Sequence, residues 1–147
     1  MLLRPDAEDL RVIGFYLGRI FALCGVAGLV PLAWAVVGRE WAPASGFVLM
    51  IAVFVFPAVW GPRRRSEVGR LDWSHGMVVA ALSWLLVPAV GSIPLALSGH
   101  FGGLLDAYFE AMSGLTTTGL SVLQDLDHLA PSLNFWRHLL HFLGGQG

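Results

Sequence analysis

The chain has 147 residues, 56% of them hydrophobic and only 13% charged, with a net charge of −1. Soluble domains run about 25% charged, and a core of this size has no room to hide so much apolar surface. The composition therefore excludes an ordinary soluble domain and selects a helical membrane protein. The charge balance argues against nucleic-acid binding. The lone Cys24 rules out an internal disulfide and reads as a small packing residue in an apolar run.

Met1–Leu10 mixes Arg4 with Asp6, Glu8 and Asp9. A secretory signal has a basic, acid-poor start and a short apolar core, so residues 1–11 read as a short cytoplasmic tail or interfacial helix. Val12–Gly38 is the first predicted span. Arg19 is its only charge, about 12 Å deep if the membrane begins near Arg11, a depth at which an arginine snorkels to the interface. The alternative is a buried arginine facing the bundle interior. Gly14, Gly18, Gly25 and Gly28 fall near one helical face, where small residues let a second helix approach. Pro31 is placed to kink the outer end.

Arg39-Glu40 and Trp41-Ala42-Pro43 make an outer turn before the second span, Ser45–Trp60, with Trp41 and Trp60 as interfacial anchors. Gly61-Pro62-Arg63-Arg64-Arg65, with Arg70 beyond, is the strongest positive cluster. The positive-inside rule makes it a cytoplasmic loop, which puts the N-terminus inside and Arg39-Glu40 outside. A phospholipid or nucleic-acid patch is the lesser reading of this cluster. The third span, Trp73–Ser98, contains Pro88 and Pro94 and has His75 at its inner edge. Neighbouring helices make such prolines tolerable in a membrane.

Leu104–Leu115 is apolar but too short to cross a bilayer. Ser113-Gly114-Leu115-Thr116-Thr117-Thr118-Gly119 ends this stretch and leads out of it. A short descending helix with an extended return strand is tolerated in a membrane only where it is buried in protein or lines a water-filled path. Backbone carbonyls along such a strand can replace an ion's hydration shell. β-Branched Thr116, Thr117 and Thr118 favour the extended form, and Gly119 permits a twist denied to other residues. Asp125 and Asp127 come next, either as outer-mouth acids that enrich cations or as two solvated loop acids. Glu110 inside the short helix reads as a structural group bonding the loop backbone, since a charge there is costly.

Asn134–Gly147 begins a fourth helix and reaches about half a crossing. His138 and His141 share a face at metal-ligand spacing, but no carboxylate or cysteine joins them on that helix, so a zinc site is disfavoured. Ser113 has no His/Asp constellation, so nothing points to a hydrolase.

The run Asp106-Ala107-Tyr108-Phe109-Glu110-Ala111-Met112-Ser113-Gly114-Leu115-Thr116-Thr117-Thr118-Gly119 resembles the first pore loop of the Trk/Ktr/HKT superfamily of potassium transporters, most closely the TrkH branch. Phe135-Trp136-Arg137-His138 and Leu143-Gly144-Gly145-Gln146-Gly147 are similar to the start of the helix that comes after this loop. Pro31, Arg39-Glu40 and Trp60-Gly61-Pro62-Arg63 fall in a similar order and spacing. The resemblance covers nearly the whole chain.

The resemblance implies an all-α membrane protein: a leading transmembrane helix pair (12–60), a basic cytoplasmic loop (61–72), and a first helix–pore–helix repeat (73–147) whose second helix is truncated. It implies a potassium uptake transporter of the cell inner membrane, not an enzyme. Four such repeats surround one pore, and each gives a filter strand centred on one glycine. Gly119 is then the glycine of the first repeat, and potassium contacts fall at Thr117, Thr118 and Gly119. Sodium-preferring plant members can carry serine at that glycine, so Gly119 favours potassium. Potassium is substrate, and no cofactor is implied. The implied partners are the lipid bilayer, the remaining repeats, a homodimer partner and a cytosolic nucleotide-binding regulatory subunit. The competing reading is a non-transport helical scaffold or accessory subunit whose Thr-Thr-Thr-Gly loop is only packing.

Overall fold

The structure is a computed structural model in which residues 6–60 and 71–146 are described. They form six helices and no strand: α1 (Ala7–Val37), α2 (Trp41–Trp60), α3 (Trp73–Gly91), α4 (Ile93–Ala96), α5 (Leu104–Leu115) and α6 (Pro131–Gly144). Three segments, Ala7–Val37, Trp41–Trp60 and Trp73–Ala96, are long and apolar enough to cross a membrane. The chain is an all-α membrane protein. The basic cluster Arg63–Arg65, with Arg70, lies outside the described residues.

α1 starts at Ala7, before the apolar run, because Asp9 in its first turn accepts the Asp6 N–H at 3.0 Å. Otherwise that amide is an unpaired donor at the helix start. The glycines of α1 then set the register of an antiparallel hairpin with α2. Gly18 faces the Pro57 carbonyl and Ala58, Gly25 faces Phe54 and Val55, and Gly28 faces Met50 and Ile51. Phe21 packs edge-on against Phe54 at 5.3 Å between ring centres. Gly14 differs from the other three, since among the described residues a side chain there meets nothing within 4 Å. α1 is continuous through Pro31.

The third span is expected as one helix but breaks at Ser92, between α3 and α4. Pro94 has no N–H to give to the Val90 carbonyl four residues earlier, and the next carbonyl, that of Gly91, accepts the buried indole N–H of Trp136 at 2.8 Å. Pro94 in turn packs on Gly46 of α2, where a Cβ would come within 2.9 Å of its Cα.

α6 begins at Pro131, three residues before the expected start. Proline suits the first helical position, whose amide has no partner in any case. The next amide, Ser132 N–H, donates at 3.2 Å to the Glu40 carboxylate of the α1–α2 turn. Phe47, Met50 and Phe54 of α2, Leu95 of α4, and Trp136 and Leu140 of α6 are fully buried and form the core. The hairpin is thereby packed against α3, α4 and α6, and these three helices hold the element that carries the loop.

Candidate functional site: the end of α5 and its return loop

α5 has 12 residues, about 18 Å of helix, well short of a bilayer core. Ala107, Glu110, Ala111, Ser113, Gly114 and Leu115 are its buried face. Two glycines let α6 press against it. Gly114 faces Leu140, His141 and the Arg137 carbonyl, and Gly144 lies on the Leu115 carbonyl with no room for any side chain.

The helix ends in a tight cap. The Thr117 N–H donates to the Gly114 carbonyl at 2.9 Å and the Thr118 N–H to the Ser113 carbonyl at 3.0 Å. This is the paired bonding of a Schellman cap, whose left-handed residue is usually glycine. Here it is Thr117, at φ 57°. A β-branched residue in that region is a backbone outlier, worth about 1–3 kcal/mol of strain. The extended strand expected from Thr116 onward is therefore corrected. Thr116 (φ −76°, ψ 1°) and Thr117 complete the helix end, and only from Thr118 does the chain leave the turn. Two free carbonyls at the helix terminus outweigh the extended preference of threonine. Gly119 sits at φ +78° with open space around its α-carbon, so conformation alone, not crowding, requires glycine there.

Ser113 fixes the loop from behind. Its hydroxyl donates to the Leu120 carbonyl at 2.6 Å, and Thr116 Oγ1 bonds the Met112 carbonyl and Thr118 Oγ1, each at 2.8 Å. The carbonyls of Thr116, Thr117, Thr118 and Gly119 accept no hydrogen bond from the described residues, and all four residues are exposed. Their amides from Thr116 to Gly119 are all turned back onto α5. The row of free carbonyls ends at Leu120, whose oxygen is taken.

Glu110, 5% exposed, anchors the far side of the loop. Its carboxylate accepts the Ser121 hydroxyl (2.9 and 3.0 Å), the Val122 N–H (3.1 Å) and Arg137 Nε (2.8 Å), and pairs with Arg137 Nη2. Arg137 Nη1 also donates to Asn134 Oδ1 at 3.0 Å. Glu110 thus bonds the loop backbone, as its place in the sequence suggests. The parts played by Arg137 and Ser121 are not evident from the sequence. The available signal is an acid in the middle of α5, a turn beyond Asp106, and the single arginine of α6, which in low dielectric seek each other.

Asp125 and Asp127 are exposed in the next loop. Asp125 pairs with His128 at 2.7 Å. The hydrogen bond from His128, with its charge, holds the Asp125 carboxyl below its usual range, and the same contact raises His128 above its ordinary value. Asp125 lines an open polar cavity with His100, Asp106 and His128, and Asp127 does not, so the two acids are not brought together there. His138 and His141 have ring centres 6.5 Å apart, and His141 Nδ1–H donates to the Arg137 carbonyl at 2.9 Å. Among the described residues no group of three or more His, Cys, Asp or Glu side chains is placed to hold a metal ion.

Residues 44–147 match the family model TrkH, described as a cation transport protein. The chain is 32% identical over 146 residues to an uncharacterized cation transporter of Methanocaldococcus jannaschii, covering 98% of this chain and 30% of that protein. It is 32% identical over 139 residues to the Trk system potassium uptake protein TrkH of Salmonella typhimurium, covering 93% of this chain and 29% of that one. With the Trk system potassium uptake protein TrkI of Halomonas elongata it shares 33% over 147 residues, 99% of this chain and 29% of the relative. The chain spans about three-tenths of the length of these curated relatives. With the family match running from α2 through the loop to α6, the chain belongs to the TrkH family of cation transport proteins.

Proposed function

We propose that this chain serves potassium uptake across the cell inner membrane as the leading part of a TrkH-like transporter, with Thr116, Thr117, Thr118 and Gly119 as one of four filter strands. The observation that carries the reading is the run of four carbonyls on exposed residues, without a hydrogen-bond donor among the described residues, in a stretch whose own amides are engaged and which is flanked by the Ser113 and Glu110 bonds. Such a row gives up no bond when it takes the place of an ion's water. The negative end of the α5 dipole, at Leu115, adds to the attraction for a cation. On this reading potassium contacts Thr117, Thr118 and Gly119, and Asp125 and Asp127 stand near the outer mouth. The remaining repeats complete the pore, a second copy forms a homodimer, and a cytosolic nucleotide-binding subunit regulates it. The N-terminus and Arg63–Arg65 face the cytoplasm.

The test is paired potassium and sodium uptake by a full-length transporter carrying this segment, in cells without their own potassium uptake. Gly119→Ser places a side chain at φ +78° and forces either strain or a turned carbonyl. It is expected to lower the potassium-over-sodium ratio more than it lowers protein level. Thr118→Val keeps shape and carbonyl and is expected to change the ratio far less. An unchanged ratio in Gly119→Ser, with expression intact, assigns the loop to packing and the chain to a scaffold or accessory role.

A further inference from the structure

We propose that the groove between α1 and the last turn of α2 binds the phosphodiester head group of an anionic phospholipid, with Arg19 as its side-chain ligand. The glycine register fixes the depth of this arginine. Gly18 lies against Pro57 and Ala58, so Arg19 stands level with the final turn of α2. Counting from Arg11 puts it deep in the leaflet, whereas its helical neighbour puts it at the end of a span, where head groups lie.

Charge points the same way. Arg19 is exposed, and its guanidinium lies 5.2 Å from the centre of the Phe15 ring. None of the salt bridges among the described residues includes it. A lone cation in an apolar span needs a counter-charge, and a guanidinium matches a phosphate through two parallel N–H bonds. The shape also fits. Gly14, Phe15, Gly18, Arg19, Pro57 and Ala58 help line a groove of about 340 Å³ among the described residues, where Gly14 has no side chain and no described residue faces it within 4 Å.

A lipid fits better than a free phosphate because the groove continues into an apolar strip. Leu23, one turn beyond Arg19, is 71% exposed, and Val26 beside it is 63% exposed. An acyl chain covers that strip, and inorganic phosphate gains nothing from it. Arg63, Arg64 and Arg65 come after Trp60 within five residues of sequence, and a basic run beside a span favours anionic lipid.

The chain purified in mild detergent tests the site by native mass spectrometry and by thermal unfolding, with added phosphatidylglycerol, phosphatidylcholine or inorganic phosphate. Phosphatidylglycerol is expected to stay bound and to raise the unfolding temperature, and the other two are not. Arg19→Gln is expected to weaken phosphatidylglycerol binding about fivefold, the effect of one arginine near an anionic surface. Arg19→Lys is expected to retain part of the affinity, since the charge stays and the fork is lost. Gly14→Leu fills the groove without touching the charge and is expected to weaken binding similarly, and it carries the test if Arg19→Gln fails to fold. Parent-level affinity in both Arg19→Gln and Gly14→Leu overturns the site, as does equal binding of phosphatidylcholine. Inorganic phosphate stabilising as well as phosphatidylglycerol also overturns it.

Discussion

The buried Glu110 and the half-buried Arg137 form a pair in which each partner is held by further bonds, to Ser121, to the Val122 amide and to Asn134. Removing one charge from such a pair leaves the other uncompensated, at a cost of about 3–5 kcal/mol. Glu110→Gln is therefore expected to destabilise the chain strongly. The double variant Glu110→Gln/Arg137→Leu is expected to be less destabilised than Glu110→Gln, because no unpaired cation remains. Chemical or thermal unfolding of the four members of this cycle measures the difference. Equal damage in the single and double variants means that the pair's charge is not what matters. At this scale the sequence is legible where one residue decides its own conformation. Gly119 is expected to need a special twist, and it has a positive φ. Thr117 is not legible, since threonine by itself prefers the extended form. Its left-handed turn comes from the carbonyls of Ser113 and Gly114, which only the finished helix offers.

The contact between α5 and α6 depends on Gly114 and Gly144. Gly144 has backbone of Leu115 where a Cβ would go, and backbone does not step aside as the tip of a long side chain does. Gly144→Ala is thus expected to push α6 away from the end of α5, at a cost of about 1–3 kcal/mol for overpacking, despite alanine's better helix propensity. Unfolding measurements on this variant check it, and a gain in stability would show that the two helices do not meet there. The spans themselves can be read from their apolar runs, and the start of α6 from Pro131 once proline is placed at a first helical position. The break at Ser92 cannot. Pro88 and Pro94 lie in the same apolar stretch, yet α3 continues through Pro88 and stops before Pro94. An indole 45 residues away bonds the Gly91 carbonyl at the break, and no local pattern announces it.

Taken whole, the molecule is a hairpin packed on a helix–loop–helix unit, and the orientation proposed for it rests on the sequence position of the arginines between α2 and α3. With Arg63–Arg65 cytoplasmic, a cysteine at Ser66 in a Cys24→Ser background is expected to resist a membrane-impermeant reagent applied outside intact cells and to react once the membrane is opened. Labelling from outside inverts the topology. One bond across this whole, from the Ser132 amide to the Glu40 carboxylate, joins residues 92 positions apart. Chains grow from the N-terminus at about 5–20 residues per second. The carboxylate therefore exists for several seconds before the amide it serves has been made. The same holds for the Gly91 carbonyl and the indole of Trp136. When α6 emerges from the ribosome, the acceptors for its first turn and for its largest side chain have already been synthesised. The hairpin is then a mould for the later helices, and the loop carrying Thr116–Gly119 is closed by the last of the described helices to be born.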